Sequence, residues 1–345
     1  MAIDATATLY RVSKCGFFNE ETGEAFGDLK ELVPDFGAWL QDLHSVGETV
    51  TFEPSQDGES LRVFCLVLIQ ISGQDAFLFS TWNEVPSLEE GIQLLNVESA
   101  IGSAEVSGVA VNPRSLPGYP AYFVIMPSTG RLLNLRFEQR LNGTRGFARH
   151  IEGFLASASR YCVWDANDEA RLVGYAKEGG VVAEGFDPAF RYVIARRPGQ
   201  MQYFRSRALE VRKLHRKMII HPIEVEHRPM FEAAQRFLGM EPNARLRAAI
   251  RFNYSYKTRI SQDRMNSILE FGFGDGVPFE DGEDIGFTFA KEASKIHWVS
   301  GSYARSKVRI NADRTPDGMV SLSSLADALA GGALERILDR TNGTS

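Results

Sequence analysis

The stretch Arg245-Leu-Arg-Ala-Ala-Ile-Arg-Phe-Asn-Tyr-Ser-Tyr-Lys-Thr-Arg-Ile260 alternates with a period of two. Successive side chains of a β-strand point to opposite faces. One face therefore carries Arg245, Arg247, Ala249, Arg251, Asn253, Ser255, Lys257 and Arg259. The other carries Leu246, Ala248, Ile250, Phe252, Tyr254, Tyr256, Thr258 and Ile260. The second set is apolar and aromatic and is expected to pack on a core. The first is cationic and holds no carboxylate. At about 3.3 Å per residue it is long enough to follow several phosphates.

Working outward, the pattern returns in Tyr303-Ala-Arg-Ser-Lys-Val-Arg-Ile-Asn311. Here Tyr303, Arg305, Lys307, Arg309 and Asn311 share a face opposite Ala304, Val308 and Ile310. A third cluster, Arg212-Lys-Leu-His-Arg-Lys217, adds Arg212, Lys213, Arg216 and Lys217. Two such strands in one sheet would make a basic plate. The residues expected to contact nucleic acid are these four with Arg247, Arg251, Lys257, Arg259, Arg305, Lys307 and Arg309. A solvated strand face also carries lysine and arginine. Such a face usually mixes signs, however, because like charges side by side are destabilising, and neither stripe contains an acid.

The chain as a whole is acidic, with 38 Lys and Arg against 44 Asp and Glu and a net charge of -6. That average conceals a division. Residues 191–264 hold 17 Lys and Arg against 6 Asp and Glu, leaving 21 against 38 for the remainder. An asymmetry of that size is an argument about partners rather than about fold.

The N-terminal part reads as mixed α and β. Strands are expected at 6–15, 49–53, 61–71 and 76–82, with a hairpin turn at 72–75. A second hairpin pairs 119–126 with 132–137 around Pro127-Ser-Thr-Gly130. Helices are expected at 36–44 and 147–161, where Phe147, Ile151, Phe154, Leu155 and Ala158 fall on one side. The glycine-rich, weakly patterned segment 173–187 precedes a domain boundary near Ala195-Arg-Arg-Pro-Gly199. Beyond it, 209–226, 245–260, 285–290 and 297–311 read as extended, and 229–238 and 262–271 as helices. A last helix over 323–340 is loosened at Gly331-Gly332. Its Leu322, Leu325, Leu329, Leu334, Ile337 and Leu338 lie along one side, fit for docking on its own domain or for a dimer contact. The expectation is an α+β protein, with a mixed α/β domain at 1–195 followed by an α+β domain at 196–345 whose antiparallel sheet has a basic face.

Catalytic readings are weaker. His221 and His227 stand six residues apart, roughly 20 Å along a strand, too far to share one ion. Glu224 and Glu226 share a face, but no third ligand follows at a nuclease spacing. Phe271-Gly-Phe-Gly-Asp-Gly276 follows a helix and lacks the Lys-Ser/Thr ending of a phosphate loop. Glu280-Asp-Gly-Glu-Asp284 misses the alternate spacing of a calcium loop. No cofactor, metal site or catalytic residue is expected.

Three scattered cysteines, Cys15, Cys65 and Cys162, argue against a disulfide framework and a four-ligand zinc site. The longest apolar run, 63–69, is far below the roughly 20 residues that span a bilayer. The first residues have neither a basic nor an apolar leader region. A cytoplasmic protein is expected.

The order of several segments resembles a family. They are Ala76-Phe-Leu-Phe79, Gly118-Tyr-Pro-Ala-Tyr-Phe-Val124, Asn142-Gly-Thr and Gly153-Phe-Leu155, then Ile223-Glu-Val-Glu226, Pro229-Met-Phe231, Phe237-Leu-Gly239, the basic strand and Ile268-Leu-Glu-Phe271. In this order the chain resembles RexA, the intracellular component of the phage-exclusion system of lambdoid prophages. The resemblance implies a homodimeric, non-enzymatic DNA-binding sensor, and the phosphate-contacting cations are expected to give it little sequence specificity. It also implies a membrane partner, a RexB-like channel, and a role in abortive infection. The alternatives from the residues are a metal-dependent nuclease using Glu224 and Glu226, and an adaptor whose basic face meets an acidic protein.

Overall fold

The computed structural model describes residues 2–54, 61–85, 93–107, 115–137, 143–165, 167–177, 182, 184–220, 250–271 and 284–342. The chain divides into two units: Met1–Ala195 with Ala304–Ser345, and Arg196–Tyr303. The architecture is α+β, with helices laid against antiparallel sheets.

The first unit is organised by β1 (Ala2–Asn19), along which Ile3, Ala5, Ala7 and Leu9 are buried in alternation. In chain order follow β2 (Ala25–Phe26), α1 (Leu29–Gln41), β3 (Val63–Gln70), β4 (Phe77–Glu84), β5 (Gln93–Asn96), β6 (Val106–Ser107), β7 (Ser115–Met126) and β8 (Arg131–Arg136). Then come α2 (Thr144–Ser157), β9 (Cys162–Asp165), β10 (Asp168–Tyr175) and β11 (Phe186–Ile194). The main path of the sheet is β11-β1-β8-β7-β4-β3. Both expected hairpins, β3–β4 and β7–β8, are formed.

Helix α1 begins earlier than its aromatic run suggests, because Asp28 caps it. The Asp28 carboxylate accepts the Lys30 and Glu31 N–H groups at 2.8 and 3.1 Å, and Glu31 accepts the Asp28 N–H in return. This reciprocal arrangement satisfies donors that a helix start leaves open. Phe36 of α1 and Phe147 and Phe154 of α2 pack on Phe79 and Phe123 of the sheet, each burial stabilising by about 1.5–3 kcal/mol. Residues 49–53 do not form the expected strand. Thr49 closes a tight turn (Val46–Thr49), donating to the Val46 carbonyl at 2.7 Å and accepting the Cys65 N–H at 2.8 Å. Thr51 donates to the His150 carbonyl at 2.8 Å. Side-chain hydroxyls here replace ladder bonds. Burial pushes the Cys65 thiol well up, as befits an inert core cysteine.

The second unit contains α3 (Pro198–Ser206), β12 (Val211–Ile220), β13 (Ile250–Lys257), α4 (Gln262–Phe271), β14 (Asp284–Phe289) and β15 (His297–Trp298). The strand order is β13-β12-β14-β15, antiparallel throughout. Phe204, Ala208, Met265 and Leu269 cover Leu214, Ile285, Phe287 and Phe289 on one face. The helix expected at 229–238, the pairs His221/His227 and Glu224/Glu226, and the start of the basic strand at 245–249 lie outside the described residues. So do the glycines of the 271–276 loop.

The chain leaves the first unit at Ala195 and re-enters at Ala304, whose N–H donates to the Ala195 carbonyl at 2.8 Å. Leu9 of β1 bonds to both residues, each at 2.9 Å. β16 (Arg305–Asn311) therefore runs along β1 beyond the point where β11 stops. Residues 304–345, expected with the C-terminal half, belong to the first unit. The reason is the complementarity of Val308 and Ile310 with Ala5 and Ile3, which they face and with which they are buried. The strand expected over 297–311 is thus two strands, separated by a turn at Val299–Ser302. The last helix breaks at Gly332, with φ +87, into α5 (Leu322–Ala328) and α6 (Leu334–Asn342). Leu325, Leu329, Leu334 and Ile337 dock into the core of their own unit. No helix among the described residues is long and apolar enough to cross a membrane.

Candidate nucleic-acid interface

Residues directly opposite in an antiparallel pair share a face. The register of β12 with β13 sets Lys213 opposite Lys257, His215 opposite Ser255 and Lys217 opposite Asn253. On the other side of β12, β14 sets Thr288 beside Lys213 and Gly286 beside His215. Trp298 of β15 faces Gly286. One face of this sheet therefore gathers three lysines, a histidine, three hydrogen-bonding neutral side chains, an indole and, opposite Lys217, the carboxyl of Asp284; Asp284 and Thr288 are buried. Lys213, Lys257, Ser255 and Asn253 are exposed, and His215, Lys217 and Trp298 are half-buried. Among the described residues, none of the three lysines is held in an ion pair.

The local geometry is specific. His215 Nε2 lies 2.7 Å from Thr288 Oγ1, and the His215 and Trp298 rings meet edge to face at 6.2 Å. Burial first, and the Lys213 charge second, hold His215 below the ordinary histidine range. The Lys217 ammonium stands 3.9 Å from the centre of the Trp298 ring, a cation–π contact. Trp298 can lie there because residue 286 is glycine. A Cβ at that position would come within 2.7 Å of the indole Cε3 and within 2.7 Å of Ile296.

The residue beside Trp298 faces the other way. His297, opposite Phe287, bonds through Nε2 to Glu292 at 2.5 Å. Arg207 donates to Glu292 at 2.5 Å, to Glu210 at 2.9 Å and to the Tyr203 hydroxyl. The Arg207 guanidinium first, then His297, hold the Glu292 carboxyl below its usual range. This network ties the end of α3 to the connection between β14 and β15 and so fixes the strand that carries Trp298. Among the described residues no group of three or more His, Cys, Asp or Glu could hold a metal ion.

The expected site residues are distributed unevenly. Lys213, Lys217 and Lys257 meet on the face just described. Arg216 does not join them, because strand alternation turns it to the side of Ile285 and Tyr254. Arg212 sits at a register shift near the start of β12, exposed, its carbonyl accepting the Thr258 N–H. Arg259 is exposed beyond the end of β13. Arg251 takes the ladder position opposite Ile219, and Arg247 lies outside the described residues.

Two expectations need correction. Among the described residues, the apolar side of the basic strand packs on a core at Ile260 but not at Tyr254 and Tyr256. Tyr254 and Tyr256 are 46% and 51% exposed, since the helices cover β12 and β14 and stop short of β13. Nor do the two cationic strands share a sheet. Arg305, Lys307 and Arg309 stand on β16 opposite Thr8, Thr6 and Asp4 of β1. There Arg309 Nε donates to Asp4 at 2.9 Å, and Arg305 Nε to the Thr8 hydroxyl at 3.2 Å. The single basic plate is not formed, and the second stripe has an acid beside it from a distant part of the sequence.

No family model, curated protein or solved structure matches the chain.

Trp298, Gly286 and Thr288 were missed in the sequence. A signal was present in Asp284-Ile-Gly-Phe-Thr-Phe289, where Ile285, Phe287 and Phe289 alternate with small or hydroxyl-bearing residues. That pattern marks a strand whose second face leaves room for a side chain from a neighbouring strand, and all six residues of β14 are buried. Nothing local to Trp298 says which strand it lies across.

Proposed function

We infer that the chain binds nucleic acid, chiefly through the sugar–phosphate backbone, with the lysine-bearing face of the second unit's sheet. The observation that carries the reading is Lys213 standing directly opposite Lys257, with neutral Thr288, Ser255 and Asn253 around them. Like charges directly opposite across a strand pair are destabilising. A polyanion between them converts that cost into attraction, and each phosphate neutralised also releases counterions. The exposed Ser255 hydroxyl and Asn253 amide can bond phosphate oxygens and set orientation without reading bases, while the buried Thr288 hydroxyl holds His215. The resemblance to RexA supplies a purpose for such a face. On that ground the chain is a non-enzymatic DNA-binding sensor of an abortive-infection system, a homodimer working in the cytoplasm with a membrane partner.

The test is binding of a labelled 20-base-pair duplex over a salt series. Affinity is expected to fall steeply as salt rises, and to be lost at 50 mM salt when Lys213, Lys217 and Lys257 are changed together to Glu. Binding of both this duplex and a single strand of the same length too weak to measure at low salt, or indifferent to the triple change, overturns the reading. Incubation of plasmid with Mg²⁺ or Mn²⁺ is expected to leave it intact; cleavage would make the chain an enzyme instead.

A further inference from the structure

We propose that the lysine-bearing face takes single-stranded nucleic acid in preference to duplex, with one base stacked on Trp298. This rests on the phosphate-binding reading of the same face and adds the class of ligand.

Phosphate contact alone does not call for an aromatic group. The indole nevertheless lies at the level of the lysine row, against the backbone of β14, in a space that exists only because residue 286 lacks a Cβ. Ile296, 38% exposed, borders it, and the His215 ring meets it edge to face. The indole is thereby seated against Gly286 with His215 at its side, while the Glu292–His297–Arg207 network anchors the residue next to it. Restraint of that kind lowers the entropic cost of stacking a ligand on it.

In the free protein the Lys217 ammonium occupies a place 3.9 Å from the ring centre. A cation–π contact is worth about two- to fivefold in an equilibrium at an exposed site and about 30-fold when desolvated, and this half-buried one falls between. A base stacked on an aromatic side chain is worth about five- to 150-fold. Stacking therefore wins the exchange, and the displaced ammonium is released next to the phosphate that accompanies the base. The two effects cooperate for a single strand. In a duplex the bases remain stacked on one another and offer the indole nothing, so only the lysines contribute.

The experiment compares three ligands of 20 nucleotides at one salt concentration: oligo-dT, an abasic oligomer with the same phosphates, and the dT·dA duplex. Oligo-dT is expected to bind at least about threefold more tightly than the abasic strand, the stacking gain less the lost cation–π contact, and more tightly than the duplex. Trp298→Leu should bring oligo-dT to the abasic level, while Trp298→Phe restores most of the difference. The comparison of dT with abasic strand uses the unaltered protein, so it stands even where a variant fails to fold. Equal affinity for dT and abasic strand, both weakened by the triple lysine change, overturns stacking and leaves phosphate binding in place. Duplex bound as tightly as oligo-dT also overturns it. Failure of all three ligands to bind overturns both readings.

Discussion

Strands β13 and β16 carry the same local pattern, cations alternating with apolar or aromatic residues, yet they stand in opposite circumstances. β16 lies on β1, whose Thr8, Thr6 and Asp4 face Arg305, Lys307 and Arg309, and its apolar side is sealed under α5 and α6. β13 lies on β12, which sets Lys213 against Lys257, and its aromatic side is open at Tyr254 and Tyr256. In the first case the charges are relieved and the strand serves the core. In the second, Lys213 and Lys257 meet with only neutral residues beside them, and the one acid of the face, Asp284, is buried opposite Lys217. A stripe of cations becomes a binding surface, or remains a solvated face, according to what the neighbouring strand places beside it.

The strongest way to break this comparison is to neutralise each stripe in turn. Lys213→Gln with Lys217→Gln and Lys257→Gln is expected to weaken nucleic-acid binding by about 100-fold near 50 mM salt. It should also lower the slope of log affinity against log salt by about two to three, read by fluorescence anisotropy. Arg305→Gln with Lys307→Gln and Arg309→Gln should change affinity by less than about threefold. If the second triple has the larger effect, the interface lies on the first unit.

The two units also differ in how deeply they bury histidine. His150 is fully buried beneath the first sheet, and burial holds its pKa down to about 3, against 6.5 for a free side chain. Between those values the unfolded chain binds a proton that the folded one does not. Stability therefore falls by up to about 1.4 kcal/mol per pH unit as pH drops below 6.5. Thermal melts of His150→Gln, if it folds, should show a shallower loss between pH 6.5 and 4 than the unaltered protein. His215, less deeply buried, should contribute a smaller slope of the same sign.

A smaller effect bears on the like-charge pair itself. Lys257→Thr should raise the unfolding midpoint by about 1 °C while weakening binding. A fall in both would mean that Lys257 is not opposed by Lys213 in solution. The smallest effect concerns Asp4. Asp4→Asn frees Arg309 on β16 and should raise nucleic-acid affinity by about twofold or less, with little change in the melt, since both partners are exposed.

Much of the fold was legible because the signals are local. Both hairpins, α2 and α4 follow from periodicity and turn residues within short windows. The start of α1, expected at Phe36 and found at Leu29, was missed although Asp28 and Glu31 carry a local capping signal. The missed turn at 46–49 depends on Thr49 meeting Cys65, a contact no window contains. The site was half legible. Lys213, Lys217 and Lys257 could be chosen from the sequence, but their grouping without Arg216, and with Trp298, could not.

The sequence by itself determined which side of each strand the cations occupy, because alternation is a property of the extended backbone. Tertiary structure alone decided what stands opposite them: Asp4 against Arg309, Lys257 against Lys213, and Trp298 over Gly286. Strand pairing joins residues tens to hundreds of positions apart, and the register that joins them is set by the complementarity of buried faces. The electrostatic character of the exposed face follows from that packing.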